Sequence, residues 1–250
     1  MTLPIEFQNL RVILVGARNP LNIGAAARAM SNFGFLRLRV VRPYDLAWRE
    51  ARSAVGASSV LKDAEEFGSV ADAVSDCTLV IGTTSVGKRE LSLPLRVLED
   101  GARILRKKMR STKMSILFGS EKVGLSNEDL SHCDWLMRIP TREEHRSVNL
   151  AQSVAICMYE LARGISQTSP SLQKKLTPQK VKQASSAELE RMVQLLLEAF
   201  RASGYIKPGP APLSEEKWRR VVRRLNLSSN DAELWLGAYR KILWKMRAGK

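Results

Sequence analysis

Residues 11–30 read Arg-Val-Ile-Leu-Val-Gly-Ala-Arg-Asn-Pro-Leu-Asn-Ile-Gly-Ala-Ala-Ala-Arg-Ala-Met. The β-rich run Arg11–Val15 is typical of a short buried strand, and the alanine-rich run Gly24–Asn32 is typical of a helix. Asn22 is predicted to cap this helix, and Gly24 to let its first turn approach the sheet closely. A strand that leads through a turn into a helix is the repeating unit of an α/β fold.

The same alternation continues to about residue 163. Four further strands are predicted at Arg37–Val41, Thr78–Ile81, Ser115–Phe118 and Trp135–Ile139. Four further helices are predicted at Leu61–Phe67, Arg96–Lys108, Asn127–Ser131 and Leu150–Arg163. This alternation favours a parallel sheet with helices on both faces.

Composition narrows the class of protein. The 250 residues include 40 Lys and Arg against 25 Asp and Glu, a formal charge of +15, which favours a polyanionic partner. Cys77, Cys133 and Cys157 lie far apart and form no Cys-x-x-Cys pair, so we expect a reducing compartment and neither a disulfide framework nor a zinc site. Without a long apolar run or a signal core at Met1–Asn9, a soluble cytoplasmic protein is expected.

A second unit is predicted after the first. The stretch Gly164–Gln183 is polar, carries two prolines and has no sustained apolar period. We therefore predict a domain of residues 1–165, a linker of residues 166–184 and a small helical domain of residues 185–250. The chain from Ser171 onward carries 17 basic and 7 acidic residues, so this second unit is strongly basic.

Three helices are expected in the second unit. Ser185 and Glu188 form a capping-box pattern in front of the first helix. The second helix, Glu215–Leu225, carries five basic side chains: Lys217, Arg219, Arg220, Arg223 and Arg224. The third helix, Asn230–Arg247, is expected to bury an apolar stripe that consists of Trp235, Ala238, Tyr239, Ile242 and Met246.

Two further segments follow predicted strands. In residues 116–130, Gly119 and Gly124 bound a loop that contains Glu121, and two glycines allow a tight backbone to wrap a ligand. A turn without a ligand is the alternative, and Ser126 with Asp129 resembles a helix cap. The third segment runs from Ile139-Pro140-Thr141 to residues 147–155, where Asn149 suits an N-cap. All three segments fall at the carboxyl ends of strands, where open α/β sheets bind ligands.

Several common sites are excluded. The chain has no Gly-x-Gly-x-x-Gly pattern, no Walker loop and no Gly-x-Ser-x-Gly elbow. His132 and His145 are the only histidines, and they are too isolated to indicate a metal site. Arg28, taken alone, is better explained by a surface position on an ordinary helix, since exposed arginines are common.

Together, the three segments resemble the SPOUT superfamily of α/β-knot methyltransferases, in its TrmH/TrmJ-like ribose 2'-O-methyltransferase branch. The resemblance covers about residues 9–163 and is carried by Asn22–Arg28, by Phe118–Leu130, and by Ile139-Pro140 with Ser147–Ala151. It implies a deep trefoil knot at the C-terminal end of the sheet, S-adenosylmethionine as cofactor and a homodimer. The implied cofactor-binding residues are Thr83, Thr84, Ser85, Gly119, Ile139, Ser147, Val148 and Asn149.

The resemblance also implies roles for a catalytic set formed by Asn22, Arg28, Glu121 and Ser147. Arg28 is the family residue assigned to activate the ribose hydroxyl, working with the neighbouring subunit's cofactor. Because the pKa of an arginine exceeds about 12, we expect Arg28 to hold the ribose and phosphate and to stabilise developing negative charge instead. Glu121 and Asn149 are expected to organise the loop and pocket, and Ser147 to touch cofactor and ribose.

The substrate is implied by the second unit. Ser203–Ile206 and the basic helix Trp218–Leu225 are similar to the helical extension of TrmJ-type tRNA enzymes, which implies methylation of cytidine or uridine 32 in the anticodon loop. We expect the five basic side chains of this helix, together with Arg28, to bind RNA through phosphate contacts. The same chemistry on ribosomal RNA and a catalytically silent, knotted RNA-binding module are the alternatives.

Overall fold

A computed structural model describes residues 5–44, 46–85, 93–163, 182–206 and 212–248. These ranges contain the strands Leu10–Val15 (β1), Leu38–Val41 (β2), Glu65–Phe67 (β3), Leu79–Thr83 (β4), Leu95–Val97 (β5), Met114–Phe118 (β6) and Trp135–Arg138 (β7). They also contain the helices Pro20–Asn32 (α1), Ser58–Lys62 (α2), Val70–Ala73 (α3), Leu98–Lys108 (α4), Asn127–Ser131 (α5), Leu150–Arg163 (α6), Ser186–Ala202 (α7), Pro212–Arg224 (α8) and Ser229–Ala248 (α9). None of these helices is both long and apolar enough to cross a membrane.

The strands form one sheet in the order β3-β2-β1-β6-β4-β7-β5, and every pairing between neighbours is parallel. The predicted parallel α/β sheet is therefore confirmed. Because parallel strands all end at one edge, the loops after β1, β4, β6 and β7 meet there.

Helices cover both faces of this sheet. Along β1, Val12 and Leu14 belong to a core shared with α1, α4 and α6, whereas Ile13 and Val15 belong to a second core shared with α3 and α5. This burial on both faces explains why residues 12–15 of β1 are all apolar.

Two sequence predictions are wrong at the sheet edges. The helix predicted over Leu61–Phe67 is instead α2, which ends at Lys62, and then the edge strand β3. The helix predicted from Arg96 begins at Leu98, because residues 95–97 pair with β7. Both strands are three residues long and partly exposed, so they lack the buried or alternating pattern that identifies strands in a sequence.

Helices α7, α8 and α9 pack around their own apolar core, which includes Met192, Leu197, Val222 and Leu236. The predicted capping box is confirmed, since Ser185 accepts from the Glu188 amide and the Glu188 carboxylate accepts from the Ser185 amide. The predicted linker, residues 166–184, lies almost wholly outside the described residues.

The stripe predicted to be buried on α9 is wrong for most of its members. Trp235, Ala238 and Ile242 are exposed, Met246 is half-buried, and Tyr239 packs half-buried against the core. The helix buries Ser229, Ala232, Leu236 and Leu243. Helix α9 carries apolar residues on more than one face, and its packing against α7 selects the face that contains the small Ala232.

Candidate active site

A cavity of about 480 Å³ opens at the carboxyl ends of β4, β6 and β7. Seven of the eight residues predicted to bind a cofactor line it: Thr83, Thr84, Ser85, Gly119, Ile139, Ser147 and Val148. Asn149, the eighth, lies next to the lining residue Val148 but does not itself line the cavity. Residues separated by more than 60 positions in the chain thus converge because three parallel strands end side by side.

The ends of the central strands are fixed by hydrogen bonds between neighbours. The Thr83 hydroxyl donates to the Leu117 carbonyl at 2.8 Å, which joins β4 to β6. The Thr84 amide donates to the Met137 carbonyl at 3.0 Å, which joins β4 to β7. The floor of the cavity is therefore held by backbone as well as by side chains.

The loop after β6 closes on itself only because of its glycines. The Gly124 amide donates to the Ser120 carbonyl at 2.9 Å, and Gly124 has a φ of +69°, in the left-handed region. A Cβ atom on Gly119 would lie 2.1 Å from the Gly124 carbonyl carbon and 2.2 Å from the Leu125 amide nitrogen. Any side chain at residue 119 would push the loop open, and the loop forms one wall of the cavity.

Glu121 fastens this loop to the turn after β1. Its carboxylate accepts from the Asn22 side-chain amide at 2.8 Å and from the backbone amides of Arg18 at 2.9 Å and Asn19 at 3.2 Å. Burial raises the pKa of Glu121, but these hydrogen bonds outweigh it and hold the pKa below its usual value. Glu121 is therefore ionised and occupied as an acceptor, which suits an organising residue better than a base.

Asn149 joins the third segment to the other two. Its Nδ2 donates to Oδ1 of Asn22 at 3.1 Å. Its Oδ1 accepts from the amides of Ala151 at 2.9 Å and Gln152 at 3.3 Å, so it caps α6 as predicted. Glu121, Asn22 and Asn149 thus form one hydrogen-bonded chain at the edge of the cavity.

Two expectations about the first segment are wrong. Asn19, not Asn22, caps α1, because its side chain accepts from the Leu21 amide, and the Asn22 side chain is left to bind Glu121 and Asn149. Gly24 faces a neighbouring loop instead of the sheet, since a Cβ atom there would lie 2.3 Å from the Ser53 hydroxyl.

Arg28 is exposed on α1 and does not line the cavity of its own chain. It lies six residues beyond Asn22, about 9 Å further along the helix axis. Its guanidinium group makes no hydrogen bond or ion pair with any residue that the structure describes. The side chain is therefore available to another molecule.

Gly124, predicted to bound the ligand-wrapping loop, also lines the cavity. Several further lining residues were given no individual role from the sequence, although most lie in or next to the predicted segments. They are Phe118, Ser120, Lys122, Val123, Leu125, Leu130, Met137, Arg146, Leu150 and Ser153. Lys122 and Arg146 bring positive charge to the cavity, and each immediately adjoins a predicted residue, Glu121 or Ser147. A search for cationic neighbours of the motif residues would have found both.

The structure corrects the role expected for two arginines of α8. Arg219 is 7% exposed, and its guanidinium binds the Glu190 carboxylate at 2.9 Å and the Ser131 hydroxyl at 3.0 Å. Arg223 is also 7% exposed and pairs with Asp134 at 3.4 Å. Both arginines are therefore buried and fasten α8 to the sheet unit, so neither is exposed for phosphate contacts.

The other basic residues of α8 keep access to solvent. Lys217 and Arg224 are exposed, while Arg220 is half-buried and pairs with Glu216 at 3.3 Å. His132 is buried beside Arg219, and His145 is exposed in a short 3-10 helix. No group of three His, Cys, Asp or Glu side chains able to hold a metal ion occurs within the described ranges.

The parallel sheet and the glycine-closed pocket at its carboxyl edge place the protein in the class of RNA methyltransferases. Residues 9–159 match the SpoU rRNA Methylase family, and the chain belongs to that family. The protein is an RNA 2'-O-methyltransferase.

Individual relatives extend the match beyond the sheet unit. The tRNA (cytidine/uridine-2'-O-)-methyltransferase TrmJ of Sodalis glossinidius is 30% identical over 237 residues, which cover 92% of this chain and 89% of that protein. The crystal structure of TrmJ from Z. mobilis has a TM-score of 0.80 and 30% identity, covering 93% of this chain and 98% of that one. AviRb from Streptomyces viridochromogenes, solved with AdoMet, shares the fold at a TM-score of 0.50 and 20% identity, over 64% and 58% of the two chains.

Proposed function

We propose that this protein transfers a methyl group from S-adenosylmethionine to the 2'-hydroxyl of a tRNA nucleotide, cytidine or uridine 32 of the anticodon loop. The observation that carries the proposal is the hydrogen-bonded chain of Glu121, Asn22 and Asn149 beside the cavity. It unites the three segments whose resemblance implies this reaction. The similarity to TrmJ enzymes over 92% of the chain favours tRNA as the RNA.

The cavity fits a cofactor of this chemistry. Its volume of about 480 Å³ lies within the range of small-molecule sites, and it combines apolar walls with hydroxyl groups. Gly119 lets the cavity wall close tightly, because a Cβ atom there would clash with the backbone of Gly124 and Leu125. Thr83, Ser85 and Val148 would hold the cofactor, which supplies, when bound, a methyl group on a positively charged sulfur.

The side chains at the cavity would place the ribose. Methyl transfer forms an oxygen–carbon bond as the carbon–sulfur bond breaks, so the hydroxyl must lie in line with that bond, and its proton must leave. Ser147 lines the cavity, and its hydroxyl has no partner among the described residues, so it is free to bind the ribose. Glu121 and Asn22 would hold the loop in place without exchanging protons, since the Glu121 carboxylate already accepts three hydrogen bonds.

Arg28 would act on the cavity of a partner subunit. Its exposure and its absence from its own cavity favour this arrangement over action within one chain. The paired helices α1 and α6 also expose Leu21, Ile156 and Tyr159 on their surface, and apolar side chains of this kind suit a subunit contact. A homodimer with Arg28 stabilising negative charge near the partner's ribose is therefore part of the proposal.

RNA binding would use the basic surface of the chain. The net charge of +15 supports phosphate contacts, with Lys217, Arg220 and Arg224 as the candidates that α8 offers. The proposal also includes a deep trefoil knot around the cavity, a division into residues 1–165, 166–184 and 185–250, and a cytoplasmic place of action.

The test is transfer of a labelled methyl group from S-adenosylmethionine to bulk tRNA, followed by digestion and mass spectrometry of the nucleosides. We expect 2'-O-methylcytidine or 2'-O-methyluridine that maps to the anticodon loop. Transfer to ribosomal RNA alone would contradict tRNA as the substrate but would agree with the proposed methyl transfer. No transfer to either RNA, together with no shift in the melting temperature on adding S-adenosylmethionine, would indicate a silent RNA-binding module.

A further inference from the structure

An exposed aromatic ring lies on the loop after β2 and is bonded to the turn after β1, which Glu121 joins to the cavity wall. Tyr44 is 73% exposed, yet its backbone is fixed, because its amide donates to the Ala17 carbonyl at 3.0 Å. The Arg18 guanidinium lies over the ring, with its central carbon 4.7 Å from the ring centroid. We call these two side chains the Arg18–Tyr44 shelf.

The shelf keeps its positive charge unneutralised. Arg18 is exposed, and its guanidinium makes no ion pair with any residue in the described ranges. A planar cation stacked on an aromatic ring gives two flat faces and one charge within a few ångströms. Such a surface suits a nucleobase on the ring and a phosphate on the guanidinium.

The shelf is attached to the candidate active site by the backbone. The Arg18 amide donates to the Glu121 carboxylate at 2.9 Å, and Glu121 lines the cavity. The neighbouring loop is fixed as well, because Arg42 pairs with Asp129 at 2.8 Å. The shelf therefore holds a defined position one strand away from the loop that closes the cavity.

We propose that the Arg18–Tyr44 shelf binds an unpaired nucleotide of the RNA next to the one that is methylated, with its base on Tyr44 and its phosphate on Arg18. This inference rests on the proposed function. Bases in RNA loops are unstacked and commonly bind to aromatic side chains, whereas bases within a duplex are not available for such contacts. The shelf would thus select a single-stranded loop and determine which neighbouring nucleotide of that loop reaches the cavity.

The experiment compares Tyr44→Phe, which keeps a ring, with Tyr44→Leu, which keeps apolar bulk without one. The probe is an anticodon stem-loop RNA with 2-aminopurine at single loop positions. Tyr44→Leu is expected to weaken RNA binding by about 5- to 100-fold and to abolish fluorescence quenching at one position. Tyr44→Phe is expected to match the wild type in both, and both variants should bind S-adenosylmethionine normally, which shows that they are folded.

Arg18→Gln provides the second measurement. It should reduce the slope of log Kd against log salt by about one phosphate contact, while Tyr44→Leu should leave the slope unchanged. Wild-type RNA affinity in Tyr44→Leu, or equal loss in Tyr44→Phe and Tyr44→Leu, would overturn the shelf. A weaker dimer in Tyr44→Leu by sedimentation would overturn it too, since the ring would then be a subunit contact.

Failure of the shelf and failure of the proposed function give different results. If the wild type transfers methyl groups and Tyr44→Leu binds RNA as tightly as the wild type, the shelf proposal is wrong and the proposed function stands. If the wild-type protein neither binds nor methylates the stem-loop or whole tRNA, both the proposed function and the shelf proposal are wrong.

Discussion

Nδ2 of Asn149 lies 3.1 Å from Oδ1 of Asn22, although 127 residues separate the two in the chain. Asn22 also donates to Glu121 at 2.8 Å, so one side chain joins the segments after β1, β6 and β7. Asn149 serves two functions at once, since its oxygen caps α6 while its nitrogen holds Asn22.

Asn149→Asp separates these two functions. An aspartate keeps the oxygen that caps α6 but cannot donate to Asn22, so the melting temperature should stay near that of the wild type while methyl transfer falls by at least about tenfold. Asn149→Ala removes both contacts and should also cost about 1 kcal/mol of stability. Equal activity of Asn149→Asp and the wild type, in an assay with saturating S-adenosylmethionine, would show that the link between the segments is dispensable.

Mixing two inactive variants tests whether Arg28 acts across a dimer. Arg28→Ala keeps its cavity, whereas Gly119→Ala loses it, because the new Cβ would lie 2.1 Å from the backbone at Gly124. In a mixed dimer, the intact cavity meets the intact Arg28 of the partner, so random mixing should restore up to about a quarter of wild-type methyl transfer. Gly68→Ala, with open space around its Cβ, is the control that should stay active.

No recovery in the mixture would place the action of Arg28 within its own chain or rule out a dimer. Titration calorimetry completes the test, since Arg28→Ala should bind S-adenosylmethionine as the wild type does. A loss of cofactor affinity as large as the loss of turnover would contradict its role toward the ribose.

Arg219 and Arg224 are five residues apart on α8. Substituting Arg219 should affect stability, whereas substituting Arg224 should affect RNA binding. Arg219→Met leaves Glu190 without its guanidinium partner and should lower the free energy of unfolding by about 3 kcal/mol. Arg224→Met, at an exposed position, should change stability by less than about 0.5 kcal/mol but reduce the salt dependence of tRNA binding by about one phosphate contact. Denaturant unfolding and filter binding at several salt concentrations measure the two effects. An Arg219→Met protein with normal stability and weak RNA binding would indicate that Arg219 binds RNA.

Stability should fall in mild acid because of His132. Burial, reinforced by the charges of Arg219 and Arg223, lowers the pKa of His132 to about 4, although Glu190 and Asp129 act in the opposite direction. An unfolded histidine has a pKa near 6.5, so between about pH 6.5 and 4 only the unfolded chain takes up this proton, and stability decreases as the pH falls.

His132→Gln removes this titration and should lose less stability between pH 7 and pH 5. The expected difference between the two proteins is on the order of 1 to 2 kcal/mol. Urea unfolding at both pH values measures it, and because the comparison is made within each protein, other acidic groups affect both alike. Identical losses in wild type and variant would mean that His132 does not stay neutral in the folded chain.

The sequence predicted most of the sheet, seven of the eight residues assigned to the cofactor, and Glu121, all of which line the cavity. Buried parallel strands such as β1 and β6 are mostly apolar, so the local pattern identifies them. Strands β3 and β5 are short and partly exposed, and the sequence analysis missed them. Cavity residues such as Thr83 and Ser147 were found because they lie in short motifs next to strand ends, and parallel topology brings those ends together.

The sequence by itself determined the α/β class, the three motifs and the basic character of the chain, because each depends on residues close together or on total composition. Only the tertiary structure decided which side chains face inward and which partners they meet. The charges of Arg219 and Arg224 are identical in the sequence, but Glu190 and Ser131, contributed by other helices, bury the first and leave the second in water. Burial depends on contacts between distant residues, and a helical period alone does not fix them.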